Sequence, residues 1–413
     1  MSAFPWRGKT DSRPSDDTVE PNHMTPAARH QAAIAILDEI IGGANAEMVL
    51  TRWARASRYA GSKDRAAVRD LVFDALRCRR SFAHLGGAET GRGIILGGLR
   101  AAGTDPHTIF TGTGYAPDRL SNAETSYHAP EMREAVALDC PDWLILQLRD
   151  SLGADLRDIM KALRYRAPVM LRVNTARISR TGAQEALRAQ AIETRPHDLA
   201  STALEVISNP RAVQTSEAFR TGLVELQDAA SQAVIEALPS VQNARVLDFC
   251  AGGGGKSLAL AALGARVTAH DAAPSRMRDL PQRAARAGVT IGLTQQPSGQ
   301  FDLVLADVPC SGSGSWRRSP DAKWNLTPDR LAELVQTQAQ ILQMAARHVA
   351  RSGYLAYVTC SLLRAENHEQ ISRFLQTGSQ FSLVAEHRFT PLQGGDGFYL
   401  ALLAADDAPA RHN

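Results

Sequence analysis

The chain has 413 residues, of which 44% are hydrophobic and 22% charged, and its formal net charge is +3. This length and composition are typical of a globular protein with two or three domains. No apolar run reaches the ~18 to 20 residues that cross a bilayer, and the polar residues 1–21 lack the apolar core of a secretory signal. We therefore expect a cytoplasmic protein without a membrane partner.

In chain order, the sequence predicts a tail, a helical domain, a mixed segment and an alternating segment. Residues 1–24 are rich in Ser, Asp and Pro and are predicted to be disordered, with Met24 a second candidate start. Residues 25–127 carry apolar side chains at helical spacing and predict an all-α domain. Residues 128–238 predict a linker and a small α+β subdomain, and a short tail, 406–413, ends the chain.

Residues 239–405 alternate strand and helix patterns. The predicted strands lie near 245–249, 266–270, 301–307 and 353–359, and the predicted helices near 256–263, 274–287, 328–351 and 364–375. This rhythm predicts an α/β fold with an open, largely parallel sheet and helices on both faces.

Residues 51–80 carry nine Arg or Lys against three Asp, a local excess of six positive charges. One interpretation is a solvated helical surface, and the other is a face that contacts nucleic-acid phosphates. The sequence alone leaves both open.

A glycine loop joins the first predicted strand of the alternating segment to its first helix. It reads Cys250-Ala251-Gly252-Gly253-Gly254-Gly255-Lys256-Ser257. One interpretation is a P-loop NTPase, because Gly255-Lys256-Ser257 and the Walker B-like strand ending at Asp307 match, although Cys250 replaces the first glycine. The other is an S-adenosylmethionine site, in which Asp271 at the end of the second strand accepts hydrogen bonds from the ribose. Asp271 could instead cap the next helix, and Lys256 could be an ordinary solvated lysine.

Two cysteine motifs follow apolar runs that predict buried strands. They are Asp307-Val308-Pro309-Cys310-Ser311-Gly312 and Thr359-Cys360-Ser361. Because parallel α/β sheets carry their chemistry at the carboxyl ends of the strands, we expect the two thiols to lie close together. The five cysteines are sparse and lack C-x-x-C spacing, so neither a disulfide framework nor a metal site is expected.

An NTPase has no use for two such thiols, whereas a pyrimidine C5-methyltransferase has. A thiolate that adds to carbon 6 of cytosine activates carbon 5, and the C5 proton and the thiol must later leave. Cys360, Cys310 and Asp307 can supply a nucleophile, a group for elimination and a partner for the ring. The alternative for any single cysteine is a small core hydrophobe, and we assign Cys78, Cys140 and Cys250 to that class.

These motifs resemble the bacterial Fmu/Sun (RsmB/NOP) family of RNA cytosine-5 methyltransferases. Residues 307–314 resemble its D-A-P-C-S-G-T-G, residues 317–324 its R-R-x-P-D-x-K-W, and Thr359-Cys360-Ser361 with Glu366-Asn367 its T-C-S…E-N. Gly397-Phe398-Tyr399, residues 171–174 and residues 227–232 resemble further family elements, D-G-F-[FY], L-R-x-N and Q-D-x-x-S-Q.

The resemblance implies a Rossmann-like class I methyltransferase sheet, with S-adenosylmethionine held by the loop from Cys250 to Lys256, by Asp271 and by Asp307. It implies that Cys360 is the nucleophile, that Cys310 assists proton removal and release, and that Asp307 contacts the cytosine. It further implies RNA contacts by Arg172, Arg317, Arg318 and Lys323, and a NusB-like RNA-binding domain over residues 25–127. The expected partner is RNA, 16S ribosomal RNA before transfer RNA, and the expected state is a monomer.

The sequence departs from the family pattern in two segments. The usual C-A-A-P-G-G-K-[TS] loop has glycine here where the family has proline, and residues 291–296 supply amides where the family tends to carry an acid. Both departures concern the cofactor site. They leave a catalytically weak RNA-binding or assembly factor open as the alternative to an enzyme.

Overall fold

The structure is a computed structural model and describes residues 23–406. Most of the two predicted tails, residues 1–22 and 407–413, lies outside the described residues. Met24 is described and buried, and it packs against Ala28 and Ala60 at the start of the first helix.

The α-helices of the described chain are α1 (Pro26–Ile41), α2 (Ala46–Ala56), α3 (Ser62–Arg77), α4 (Arg79–Gly86), α5 (Gly91–Ala101), α6 (Asn122–Ser126), α7 (Glu134–Ala137), α8 (Ile145–Leu152), α9 (Leu156–Ala162), α10 (Arg180–Arg188), α11 (Glu217–Arg220), α12 (Ala229–Glu236), α13 (Gly255–Ala262), α14 (Leu280–Ala287), α15 (Pro320–Asn325), α16 (Pro328–Ala346) and α17 (His368–Gln376). The strands are β1 (Met170–Val173), β2 (Thr194–Pro196), β3 (Ala203–Val206), β4 (Val224–Leu226), β5 (Arg245–Asp248), β6 (Arg266–His270), β7 (Ile291–Thr294), β8 (Phe301–Asp307), β9 (Val349–Thr359), β10 (Phe381–Phe389) and β11 (Phe398–Ala405). Short 3₁₀ helices include Pro274–Met277, Ser313–Ser315 and Arg364–Glu366.

The chain divides into two compact units. The first comprises the chain up to Leu146 together with Ala154–Arg166 and Trp316–Asn325, and the second comprises Gln147–Gly153, Ala167–Ser315 and the chain from Leu326. The predicted division had three segments and placed all of 239–405 in one domain. The structure differs at Trp316–Asn325, which contains α15 and lies in the first unit.

The first unit is helical, and its core is made by the apolar faces of α1 to α5. Helix α1 begins after Thr25, whose hydroxyl accepts a hydrogen bond from the Ala28 amide, and Pro26 occupies the first turn, where no amide donor is needed. Its inward residues, such as Ile36 and Leu37, pack with Val72, Leu76 and others from the following helices. The role of this unit as a NusB-like RNA-binding domain stays a prediction.

The second unit contains a seven-stranded sheet in the order β10-β11-β9-β8-β5-β6-β7. The strands from β9 to β7 pair in parallel, whereas β10 and β11 pair antiparallel at one side. A separate antiparallel sheet has the order β2-β3-β1-β4. The predicted α/β fold with a largely parallel sheet is therefore confirmed, and apolar side chains from both faces of the large sheet form its two core layers.

Two details of the large sheet differ from the prediction. The helix predicted over 328–351 ends at Ala346, and β9 already begins at Val349. Strands β7, β10 and β11 were not predicted.

Among the described residues, none of the helices combines the length and the apolar character needed to cross a membrane.

Candidate active site

The glycine loop between β5 and α13 takes a backbone path that side chains would obstruct. Gly252 and Gly254 have φ of +52° and +79°, in the left-handed region that favours glycine. A Cβ atom on Gly254 would lie 2.2 Å from Cδ1 of Leu280. The glycines therefore let the loop turn tightly at the start of α13, with Gly254 packed against Leu280 and Gly253 exposed.

Asp271 joins the end of β6 to this loop. Its Oδ2 accepts a hydrogen bond from the Gly252 amide at 2.9 Å, and its Oδ1 accepts one from the Ala273 amide at 2.9 Å. Arg276 Nη1 lies 3.3 Å from Oδ2. The carboxylate thus fixes the loop and the turn after β6, and its predicted contact with a ribose stays a prediction.

Lys256, in the first turn of α13, forms an ion pair with Asp307 at the end of β8, and Nζ and Oδ2 lie 2.6 Å apart. Burial by itself would lower the pKa of Lys256, but the charge and hydrogen bond of Asp307 raise it, so the ammonium stays charged. The next residue, Ser257, donates a hydrogen bond of 2.5 Å to Asp248. Burial raises the pKa of Asp248 to about 7. Two consecutive residues of one helix therefore bond carboxylates at the ends of two neighbouring strands.

The two cysteine loops meet at the carboxyl ends of β8 and β9, which pair in parallel with Asp307 beside Val358. The Sγ atoms of Cys310 and Cys360 lie 3.3 Å apart, within hydrogen-bond distance for thiols. That bond is the largest cause lowering the pKa of Cys360, where Lys256 adds to the effect while burial and Asp307 oppose it. The same bond, followed by burial, raises the pKa of Cys310. The arrangement favours a thiolate at Cys360 beside a protonated Cys310.

The other three cysteines have no such setting. Burial raises the pKa of Cys78 and Cys140 to about 12, and it raises the pKa of Cys250 as well. All three thiols therefore stay protonated at neutral pH, as their assignment to structural roles predicts.

Two glycines hold the end of this site in close backbone contact. The Gly314 amide donates to the Cys360 carbonyl at 2.9 Å, and the Gly397 amide donates to the Gly314 carbonyl at 2.9 Å. A Cβ on Gly314 would lie 2.1 Å from the carbonyl oxygen of Gly397, and a Cβ on Gly397 would lie 2.8 Å from Cα of Gly314. This contact explains why a glycine precedes Phe398 and Tyr399 in a motif far from the cysteines along the chain.

The residues predicted to contact RNA are mostly buried. Lys323 is 2% exposed, its Nζ donates to the Arg77 carbonyl at 3.3 Å, and burial lowers its pKa. Arg172 is buried in the central strand β1, where burial lowers its pKa to about 10 against the opposing charge of Glu225. Arg317 is buried and Arg318 is exposed. The RNA-contact role stays a prediction, and only Arg318 could meet RNA without leaving a buried position.

Several further residues contribute to this geometry although they were not predicted as site residues. Asp248, Arg276 and Arg283 contact the glycine loop or its helix, and Arg283 donates to the Gly253 carbonyl. Glu366, quoted above only as part of a motif, bonds both cysteine loops. The one available hint of Asp248 in the sequence was an acid at the carboxyl end of β5, directly after the buried apolar residues Val246 and Leu247.

The residues present fit an S-adenosylmethionine site. A four-glycine loop, Gly252 to Gly255, leads into α13, Lys256 and Asp307 form an ion pair between this loop and the Cys310 motif, and Asp271 follows β6. The described chain thus has a glycine cradle and an acid at the end of the neighbouring strand, as the cofactor requires.

Similar solved structures agree with this fold. The crystal structure of PH0851 superposes on 93% of this chain and 100% of its own, with a TM-score of 0.73 at 20% identity. A methyltransferase homologue from Pyrococcus horikoshii superposes on 65% of this chain and 97% of its own, with a TM-score of 0.58 at 24% identity. These likenesses establish a Rossmann-like α/β fold for this chain.

Sequence comparisons define the family. The model described as 16S rRNA methyltransferase RsmB/F matches residues 235–404, and the RsmF/B-like ferredoxin-like domain matches residues 140–214. The ribosomal RNA small subunit methyltransferase B of Yersinia enterocolitica is 34% identical over 282 residues, and that of Photorhabdus laumondii is 32% identical over 282 residues. Each match covers 64% of this chain and 66% of the relative, slightly under two thirds of its length. The chain belongs to the Fmu/Sun (RsmB/F) family of methyltransferases, whose cofactor is S-adenosylmethionine.

Proposed function

We propose that this protein transfers the methyl group of S-adenosylmethionine to carbon 5 of a cytosine in RNA, with small-subunit ribosomal RNA as the substrate. The observation that carries the proposal is the 3.3 Å approach of Cys310 and Cys360 beside the Lys256–Asp307 ion pair. Membership of the RsmB/F family supports the RNA substrate class, and the relatives named above act on small-subunit ribosomal RNA by their names.

Cys360 is the nucleophile in this proposal. Its lowered pKa gives a larger thiolate fraction at neutral pH than an ordinary cysteine has. The sulfur forms a bond to carbon 6 of the cytosine, and the electron pair of the C5–C6 double bond moves toward N3 of the ring. The Lys256 ammonium can then donate a hydrogen bond to the ring where negative charge develops.

The bound cofactor supplies an electrophilic methyl group, which carbon 5 accepts. Cys310 keeps its proton because its pKa is raised, and it stays a hydrogen-bond donor to the neighbouring sulfur. In the second half of the reaction Cys310 gives its proton to the Cys360 sulfur as that sulfur leaves carbon 6, and takes up the C5 proton as the C5–C6 double bond re-forms. A thiol 3.3 Å from the leaving sulfur is placed to assist that departure.

The two other functions considered above have less support. The chain belongs to a methyltransferase family, and NTP hydrolysis would leave the Cys310–Cys360 pair without a role. A non-catalytic RNA-binding factor has no need for a thiol whose pKa is lowered beside a buried ammonium. That second alternative is an outcome of the experiment below.

The test is transfer of tritiated methyl from S-adenosylmethionine to unmodified small-subunit RNA, with covalent protein–RNA adducts resolved on a denaturing gel. Wild type should label the RNA, Cys360→Ala should neither label nor form an adduct, and Cys310→Ala should accumulate an adduct. Cys140→Ala is the matched control, since Cys140 is a buried thiol of the first unit. RNA binding without label in the wild type would reject the enzyme and favour the binding factor.

A further inference from the structure

A single carboxylate bonds the residue after each of the two cysteines. Glu366 is fully buried, and its Oε2 accepts hydrogen bonds from the hydroxyl of Ser311, at 2.5 Å, and from the hydroxyl of Ser361. Its Oε1 accepts a further bond from the Ser311 amide at 2.8 Å. Because Ser311 follows Cys310 and Ser361 follows Cys360, this side chain is shared by both thiol-bearing loops.

The carboxylate is itself held in place from two sides. Gln338, on α16, donates one hydrogen bond to Glu366 Oε1 at 2.9 Å and another to the Pro309 carbonyl at 3.0 Å. The Tyr357 hydroxyl donates to the Glu366 carbonyl at 2.7 Å. Glu366 therefore has a fixed position relative to strand β9 and to the residue that precedes Cys310.

An apolar side chain would fill this space at lower cost in desolvation. A buried carboxylate is expensive unless its lone pairs are used, and here they accept from two hydroxyls, one amide of the chain and one side-chain amide. Bonds to an ionised acceptor are short and strongly directional, so they fix distances that packing alone leaves loose. The bonds to Ser311 and Ser361 therefore hold the residues next to the two sulfurs at a set separation.

We propose that Glu366 is a positioning residue that sets the distance between the Cys310 and Cys360 thiols for their successive steps. The inference rests on the proposed function, in which both thiols act on one cytosine. Glu366 touches neither sulfur through a bond of its own and acts through Ser311 and Ser361. Hydrogen bonding to Cys360 and burial are the larger causes of the raised pKa of Cys310, and the Glu366 charge adds to them, in keeping with a protonated Cys310.

The first readout is independent of methyl transfer. In the full-length protein without RNA or cofactor, diamide oxidises the two thiols to a Cys310–Cys360 disulfide and is itself reduced to the hydrazine, and peptide mass spectrometry measures the rate. Glu366→Gln should form this disulfide about tenfold more slowly, as expected for loss of one or two hydrogen bonds. The double variant Ser311→Ala with Ser361→Ala should be slowed at least as much, because its lost hydroxyls also bond Ser313 and the Leu363 amide. Ile371→Ala is the control, because Ile371 is buried on α17 and bonds neither loop.

The second readout is the partition of the reaction between adduct formation and adduct release on the denaturing gel. The same variants should lengthen the lifetime of the adduct by about tenfold, since release needs Cys310 beside the leaving sulfur. Ile371→Ala, brought to the same fraction folded by temperature, should release the adduct as fast as wild type. A general loss of folded structure would instead lower the rates of adduct formation and adduct release together.

The serine double variant decides the question even where Glu366→Gln does not fold, because it keeps the carboxylate and removes only two hydroxyls. Wild-type disulfide and release rates in that variant would overturn the inference. If the wild type methylates RNA and all variants keep its disulfide and adduct-release rates, the positioning role alone is rejected. A wild type that forms the disulfide rapidly but never labels RNA would reject the proposed function, and the positioning role with it.

Discussion

Lys256 and Asp307 form an ion pair of 2.6 Å between the first turn of α13 and the end of β8. Lys256 belongs to the glycine loop that fits the cofactor, and Asp307 begins the motif that carries Cys310. A change at the cofactor loop therefore reaches the thiols through one electrostatic contact, because the Lys256 charge also lowers the pKa of Cys360.

The first prediction concerns that charge. Lys256→Met should raise the pKa of Cys360, since a cation that favours the thiolate is lost while Asp307, which disfavours it, remains. Each unit of increase reduces the thiolate present at neutral pH about tenfold. The measurement is the pH profile of iodoacetamide alkylation at Cys360, followed by peptide mass spectrometry. Lys256→Arg keeps the charge and should keep the profile near that of wild type; an identical profile in both variants would contradict the electrostatic explanation.

The second prediction concerns Asp248, whose pKa is raised from its ordinary value of 3.8 to about 7 by burial. Between these two pH values the folded protein binds the proton that the unfolded chain has released, so stability falls as pH rises through that window. This difference in pKa corresponds to a decrease of at most about 4 kcal/mol in the free energy of unfolding. Asp248→Asn should flatten the decline between pH 4 and pH 7, as measured by urea unfolding without cofactor.

Asp329→Asn serves as the control for that experiment, because Asp329 is exposed at the start of α16. It removes one carboxyl without touching the buried site, so a change of slope confined to Asp248→Asn assigns the decline to Asp248. If Asp248→Asn shows the same slope as wild type, the buried carboxyl is not the source of the decline.

The third prediction compares two neighbouring glycines. Gly254→Ala should destabilise the loop and weaken cofactor binding, because Gly254 has a left-handed φ of +79° and its new Cβ would meet Leu280 at 2.2 Å. Gly253→Ala should be tolerated, since its Cβ would meet only the flexible end of Arg283 at 3.1 Å. Isothermal titration with S-adenosylmethionine measures both variants. Equal affinities would show that the loop changes its backbone path when it binds the cofactor.

The fourth prediction separates a structural from an RNA-binding role in residues 317–324. Lys323→Met should lower stability by about 1 to 3 kcal/mol, because a buried charge that bonds the Arg77 carbonyl and offsets Asp139 is removed. RNA affinity should change little. Arg318→Ala, at an exposed position, should do the reverse and reduce RNA affinity and its salt dependence while stability stays constant. Thermal unfolding and filter binding at two salt concentrations measure the pair.

The strand-end cysteines could be predicted because each follows a short apolar run, and parallel strands align their carboxyl ends. The same logic predicted the glycine loop at the start of α13 and the acid after β6. Local pattern was sufficient there, since each feature is encoded within about ten residues of the chain.

Other parts depend on contacts between distant residues and have no local pattern. Glu366 bonds Ser311 across 55 positions, and nothing in either segment marks the other as its partner. Strand β10 is an edge strand whose residues are mostly exposed, so it lacks the alternation that identifies a half-buried strand. Arg172 was expected to contact RNA because of the family resemblance, whereas it is buried on a strand that lies between β3 and β4.

The segment Trp316–Asn325 has a practical consequence for dividing this protein into fragments. It follows the Cys310 loop directly, yet it belongs to the first compact unit, where the Trp324 indole donates to the Leu76 carbonyl at 2.7 Å and Arg79 lies over the same ring. An expression fragment that starts near residue 147 would keep this ten-residue insert and discard every backbone carbonyl it bonds on α3. No single cut therefore yields an intact methyltransferase half, and fragments co-expressed as a complementing pair are the sounder route to studying either part.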